Sequence, residues 1–275
     1  MKKYPIIFAI VLFFLYPSFA SGGAFLEMHV IDVGQGDAIL IKTPSGNNVL
    51  VDSGNLSTGY LVRQYLQSHG ISVLDAVIIT HMHPDHVGGL FSLVPDLAVK
   101  KIYDSGAVHT GDDFWDEYIV LTKNLKIQRD VLGGGDELSF DPVKMWVLSP
   151  SKPLTGDMNA DSIVIKICYE KISFLLAADL NKRGEKRLLA GKLDLRSQVL
   201  KVGHHGADDA TSGTFLDRVR PLWAVISVGK DSPKCYPGEK TLELLKNVGV
   251  NVLRTDQDGT VIVRTDGESL SVVRE

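Results

Sequence analysis

The chain has 275 residues, 44% of them hydrophobic and 23% charged, with a formal net charge of −4. That length buries a core without covalent staples, and that composition excludes the disordered, collagenous and coiled-coil classes. With 33 acidic against 29 basic side chains, no general nucleic-acid-binding surface is expected, and a phosphate substrate would have to be held locally.

Residues 1–20 read as a secretory signal. Lys2 and Lys3 precede an unbroken apolar run from Ile6 to Leu15. Pro17 ends it, and Ser18-Phe19-Ala20 offers small residues where a signal peptidase reads. The run is short of the roughly 20 residues a bilayer span needs. Cleavage is expected after Ala20, with Ala24 as the second position. The alternative is an uncleaved anchor, which is the only membrane contact foreseen. Either way residues 25–275 form an exported domain, periplasmic or extracellular. Loss of Lys2 and Lys3 leaves 27 basic against 33 acidic groups, a mature charge of −6.

Phe25 to Val33 alternates as a strand. Ala38 to Lys42 and Asn48 to Asp52 follow across the turn cluster Thr43-Pro44-Ser45-Gly46-Asn47, predicting an antiparallel meander. Thr58 to His69 has helical spacing and ends at Gly70. Ala76 to Thr80 reads as a buried strand running into His81. Val99 to Tyr103 is a strand, and Asp112 to Leu125 a helix with Asp112 and Asp113 at its positive end. Gly133 to Asp136 is a turn and Val143 to Leu148 a strand. Ser162 to Tyr169 and Ile172 to Ala177 form a hairpin. Lys182 to Leu193 is a helix, Val199 to Val202 a strand, Thr214 to Val219 a helix, Trp223 to Val228 a strand and Thr241 to Val248 a helix. Val252 to Val273 reads as closing strands with turns at Asp258-Gly259 and Asp266-Gly267. No repeat and no linker divides the chain. The expected fold is one α/β domain of two packed sheets with helices outside. A split near Lys152–Gly156 is the weaker alternative.

The most informative stretch is Thr80-His81-Met82-His83-Pro84-Asp85-His86-Val87-Gly88-Gly89. Imidazoles and a carboxylate together are the ligand set for zinc and similar ions. His81 and His83 are two apart, so an extended segment puts both on one side. Pro84 keeps His83 extended. Asp85 and His86 then point elsewhere, so one loop can serve two neighbouring metals. Gly88-Gly89 allows close backbone approach. A loop that was merely histidine-rich would repel itself on protonation.

Distant residues complete the set. Asp179 ends an apolar run, where a carboxylate is a helix cap or a ligand; beside a metal motif it reads as a bridging ligand. Of His204 and His205, one is expected to be a ligand and the other to position substrate or donate a proton. His29, His69 and His109 read as satisfied core residues. Asp32 reads as a turn former. Asp37 and Asp52 either fix turns or orient the ligand imidazoles. Cys168 reads as a small buried residue, and no Cys168–Cys235 bridge is expected.

The string His81-Met82-His83-Pro84-Asp85-His86 matches the HxHxDH signature of the metallo-β-lactamase superfamily. More closely, the chain resembles the β-lactamase-like domain of the ComEC competence proteins. The resemblance lies in His29 to Ala38, Leu50 to Gly54, Leu175 to Asp179, Leu200 to Gly206, Ile226 to Gly229 and Arg254 to Gly259. It implies a four-layer αβ/βα sandwich with two divalent ions, zinc or alternatively manganese, in a shallow cleft. It implies His81 and His83 on one ion, Asp85, His86 and His204 on the other, and Asp179 bridging. It implies a phosphodiesterase or nuclease-like activity, with degradation of DNA strands proposed for the relatives.

Two departures stand out. The superfamily's third histidine for the first metal is missing, and Asn159, Asp161 and Ser162 occupy that segment, near metal or substrate. Tyr236 stands where ComEC-like chains often carry a histidine. The expected chemistry is attack by a water that the metal has acidified to a pKa of about 7. Asp85 and Asp179 orient it, and His205 or Tyr236 assists the leaving group. Hydrolysis of a lactone, lactam or thioester, and a metal-binding module without turnover, are the competing readings.

Overall fold

The computed structural model describes residues 25–94, 97–107, 113–232 and 235–275. The signal segment with both cleavage positions, His109 and Asp112 lie outside the described residues.

The first half of the chain runs β1 (Leu26–Val30), β2 (Ile39–Lys42), β3 (Asn48–Val51), α1 (Gly59–Ser68), β4 (Val73–Leu74), β5 (Ala76–Ile79), α2 (Pro84–Val87), α3 (Leu90–Leu93), β6 (Ala98–Val99), β7 (Lys101–Asp104), α4 (Asp113–Asn124) and β8 (Gln128–Val131). The second half runs β9 (Glu137–Phe140), β10 (Val143–Ser149), β11 (Val164–Tyr169), β12 (Ile172–Leu176), α5 (Lys182–Ala190), β13 (Val199–Lys201), α6 (Gly213–Val219), β14 (Trp223–Ile226), α7 (Glu239–Asn247), β15 (Asn251–Arg254), α8 (Thr255–Asp258), β16 (Val261–Thr265) and β17 (Leu270–Arg274).

An eight-stranded sheet has the order β17-β16-β1-β2-β3-β5-β7-β8, and a seven-stranded sheet the order β15-β14-β13-β12-β11-β10-β9. Each sheet is apolar on both faces, so each needs two covers. Met28, Ile41 and Ile78 of the first sheet meet Met145, Ile165 and Phe174 of the second in the central core. Leu40, Leu50 and Val77 turn outward onto Val62, Leu66, Leu90 and Tyr118 of α1, α3 and α4. Leu175, Leu200 and Ala224 turn outward onto Leu188, Phe215 and Leu245 of α5, α6 and α7. The result is the helix–sheet–sheet–helix sandwich expected from the pattern.

The meander β1–β2–β3 is antiparallel as expected. Three segments differ. Val99 to Tyr103 is interrupted at Lys100, because β6 pairs with β4 in a small separate sheet while β7 joins the main one. The closing stretch changes sheets: β15 pairs with β14, whereas β16 and β17 return to β1. The edge strands β8 and β9 were not foreseen: neither has a buried residue or an apolar run, and the alternation of β9, Leu138 and Phe140, spans only four residues. No helix among the described residues is long and apolar enough to cross a membrane.

Strands β3, β5 and β7 are mutually parallel, as are β12, β13, β14 and β15. Their carboxyl ends place Asp52, His81, Asp179, His204 and Ser227 just beyond strand tips. The crevice outside such ends is where open α/β sheets bind ligands.

Candidate metal centre

Strand β5 delivers Thr80 and His81 into the crevice. His83 is extended (φ −65, ψ 144) and Pro84 opens α2, so Asp85 and His86 leave in the first turn of a helix. The His81 and His83 rings lie on one side, centroids 4.6 Å apart. Asp52, one residue past β3, has Oδ2 2.8 Å from His86 Nδ1 and accepts from the Thr80 hydroxyl at 2.7 Å. The same hydroxyl lies 3.0 Å from His81 Nδ1. One buried carboxylate thus sets two imidazoles, directly for His86 and through Thr80 for His81. Of the two roles foreseen for Asp52, the orienting one fits.

Asp179 follows β12. The cap of α5 is Asn181, whose side chain accepts from the Arg183 and Gly184 amides, so Asp179 is not needed there. Asp179 Oδ1 instead lies 3.3 Å from His86 Nε2 and 3.5 Å from His205 Nε2. Oδ2 lies 3.7 Å from His81 Nε2 and 3.8 Å from His204 Nε2. His205 Nε2 is also 3.3 Å from Asp85 Oδ2.

The donor set fits a divalent ion. His86 Nδ1 points at a carboxylate, and His205 Nδ1 at the Ser227 carbonyl 3.0 Å away. Those two contacts use the N–H of each neutral ring and leave its Nε2 as an acceptor. Among the described residues His86 Nε2, His205 Nε2 and Asp179 Oδ1 are buried with no hydrogen-bond partner. Lone pairs cannot face carboxylates in a dry site without a cation to share. Ligand atoms of His81, His86 and Asp179 lie within 4.8 Å of one another, and so do those of Asp85, His86 and His205. In the bare chain a proton is the only substitute. Burial opposes charge on His86, but Asp179 and Asp52 outweigh it and raise its pKa well above 6.5. His205 is raised in the same way, with burial overcome by Asp179, Asp85 and Asp37. Burial also opposes ionisation of Asp179 and Asp85, yet His205 and His86 hold both carboxyls well below the usual range. His81 goes the other way: burial, then the neighbouring His86, push its pKa well below 6.5.

Not every sequence-predicted residue falls where it was expected. His204 and His205 both have left-handed backbone (φ 48 and 53), which swings consecutive side chains apart. The nitrogen that joins Asp85 and His86 belongs to His205, in the place given to His204. His204 Nε2 faces Asn159 Nδ2 at 3.4 Å, and its Nδ1 sits 2.8 Å from Asp209 Oδ1. Asn159 thus reaches the centre, and its Oδ1 is buried without a partner among the described residues. Asp161 does not reach it. Its carboxylate accepts from the Thr155 and Gly156 amides and pairs with Arg187 at 3.5 Å, fixing the loop before β11. Ser162 donates to the Met158 carbonyl at 3.3 Å and also stays in that loop. Tyr236 packs beside both histidines, its ring 5.4 Å from His204 and 6.4 Å from His205.

Asp32 accepts from the Gly34 amide in the turn foreseen for it. His29 Nδ1 meets the Tyr65 hydroxyl at 2.7 Å, and His69 Nδ1 lies 2.9 Å from the Tyr65 carbonyl, so both are satisfied away from the centre. Cys168 and Cys235 are free thiols.

A profile of the Metallo-beta-lactamase superfamily matches residues 31–230. ComE operon protein 3 of Bacillus subtilis (strain 168) is 32% identical over 271 residues, covering 92% of this chain and 34% of that protein. Competence protein ComA of Neisseria gonorrhoeae is 31% identical, covering 84% of this chain and 31% of that protein. The chain therefore spans about a third of the length of these curated relatives. Among solved structures, the metallo-beta-lactamase fold protein YhfI from Bacillus subtilis superposes with a TM-score of 0.60 at 15% identity, covering 88% of this chain and 100% of that one, a likeness of fold alone. A profile match of that extent, on a fold whose strand tips gather buried carboxylates and imidazoles, places the chain in the metallo-β-lactamase superfamily as a metal-dependent hydrolase.

Proposed function

We propose that this hydrolase is a phosphodiesterase that cleaves DNA strands with two divalent ions, both zinc or, as the alternative, both manganese. The observation that carries its metal centre is the set of buried acceptors with no hydrogen-bond partner among the described residues, His86 Nε2, His205 Nε2 and Asp179 Oδ1. Asp85, His86 and His205 would hold one ion, and His81 and His83 the other, with Asp179 between them. When bound, such a pair supplies Lewis acidity toward phosphoryl oxygens and an acidified water. The chain's own residues do the rest. Asp52 and Thr80 fix the directions of His86 and His81. Asp209 fixes His204, whose Nε2 faces Asp179 and Asn159; we assign it to the positioning of substrate. Tyr236 forms a wall beside His204 and His205. The choice of a phosphodiester over a lactone, lactam or thioester is supported by the likeness to a relative named as a competence protein.

The assay is hydrolysis of bis(p-nitrophenyl) phosphate and of fluorescent single-stranded DNA by purified protein. Cleavage that stops with chelator and returns with zinc or manganese is expected. Cleavage that survives chelation contradicts the proposal, and turnover of a lactone, lactam or thioester alone moves the chain to the second reading.

Export belongs to the same reading, supported by the charged start and the apolar run Ile6 to Leu15. N-terminal sequencing of the protein recovered from its native cell should begin at Ser21, in the periplasmic or culture fraction. A cytoplasmic protein retaining Met1 would contradict it.

A further inference from the structure

Strand β13 alternates Val199 into the central core and Leu200 onto the outer helices, so Lys201 points inward between the two sheets. It is 0% exposed. A lysine there loses all hydration, and a structure keeps it only against an opposite charge. That charge is Asp37, 1% exposed, in the loop before β2 of the opposite sheet. Lys201 Nζ lies 2.8 Å from Asp37 Oδ2 and donates to the Val202 carbonyl at 3.1 Å.

The pair touches the metal centre on two sides. Asp37 Oδ1 lies 3.5 Å from His205 Nδ1. The Asp37 amide donates to the Asp85 carbonyl at 3.1 Å, and its carbonyl accepts from the Gly54 amide at 2.8 Å. Asp37 therefore joins the loop that carries Asp85 to the ring of His205, and Lys201 anchors it from the other sheet. Asp85 and His205 come from opposite sheets, and their contact at 3.3 Å needs the sheets held in register at this point. Replacing a buried ion pair by apolar groups is often neutral for stability, so folding alone does not account for its place.

We propose that Lys201 and Asp37 form a positioning strut across the two sheets, which sets Asp85 and His205 at the spacing one divalent ion requires. This deepens the metal reading above and rests on it. Both residues act through Asp85 and His205. Lys201 keeps the Asp37 carboxylate from drifting toward the His205 ring, so that His205 Nδ1 stays on the Ser227 carbonyl and Nε2 stays free for the ion.

The test is zinc titration against a chromophoric chelator, together with the visible spectrum of the cobalt-loaded protein. The variants are Asp37→Asn/Lys201→Met, which removes both charges, and Asp37→Glu, which keeps the opposite charge on Lys201 and changes its reach. Wild type should take two equivalents. Each variant should keep one affinity and lose about 10- to 100-fold in the other, the range for residues that orient metal ligands. The cobalt spectrum of the weakened site should change with it. A pair that served only stability would lower the melting temperature and leave both affinities and the spectrum as in wild type; that result overturns the strut. If the double variant does not fold, Asp37→Glu decides by the same criteria. Wild type that takes up no ion overturns the metal reading itself, and the strut with it.

Discussion

Asp179→Ala should abolish hydrolysis, with a fall of about 10³-fold or more, equivalent to ~4 kcal/mol of transition-state stabilisation. The reason is geometric. Its two oxygens face four imidazoles, with His86 and His205 on Oδ1 and His81 and His204 on Oδ2. No other carboxylate among the described residues is within salt-bridge distance of all four. The loss should also appear without any substrate. A ligand that binds only the folded state stabilises it by about 2.7 kcal/mol at 100 times its Kd, so zinc should raise the wild-type melting temperature by about 5–10 °C. The variant should show little or no rise. A wild-type thermal response to zinc in Asp179→Ala, or retained turnover, would remove Asp179 from the centre.

Gly36→Ala should be a strongly damaging methyl addition beside the site. Gly36 has φ +129, a conformation L side chains rarely adopt, and a Cβ there would overlap the Asp85 carbonyl. Its own carbonyl accepts the Ser227 hydroxyl at 2.6 Å, so the chain cannot back away freely. The methyl must displace Asp85, which the adjacent Asp37 amide also holds. We expect a loss of about 2–4 kcal/mol, on the order of 5–15 °C in melting temperature, and weaker metal uptake. Gly46→Ala is the control: it also has positive φ (+88), but nothing lies within 4 Å of its Cβ. It should cost about 1 kcal/mol and leave metal uptake intact. Equal effects of the two substitutions would show that backbone strain, and not pressure on Asp85, is what Gly36 relieves.

The motif from His81 to His86 could be found in the sequence because its geometry is local. Two-residue spacing in an extended segment, then a proline, fixes directions without knowledge of any other strand. Asp179 was legible as a carboxylate at the end of an apolar run, and Asn181, two residues on, frees it from capping. The exchange of His204 and His205 was not legible. It turns on two left-handed residues in succession, and nothing about the string Gly-His-His-Gly signals which ring each swings where. Asp209 and Ser227 were missed because each acts through one contact to a ring and belongs to no spacing pattern. Asp161 was placed at the centre by its neighbour Asn159, though its hydrogen bonds all serve the loop. Lys201 left one usable signal, a charged residue on the inward phase of a buried strand. Its partner lies 164 positions earlier in the chain, in the opposite sheet, which no local pattern reveals. The sheets themselves were readable where both faces are apolar; β8 (QRDV) was not, because it carries no alternation, and β9 (ELSF) alternates Leu138 and Phe140 over only four residues.

The central claim is that these acids and imidazoles hold divalent metal. Crystals of the wild-type protein grown with zinc, with diffraction recorded on either side of the zinc absorption edge, test it most directly. Two anomalous peaks are predicted, one against Asp85, His86 and His205 and one against His81 and His83, with Asp179 touching both. A well-ordered centre with no anomalous peak, its carboxylates and rings joined only by protons, would contradict it.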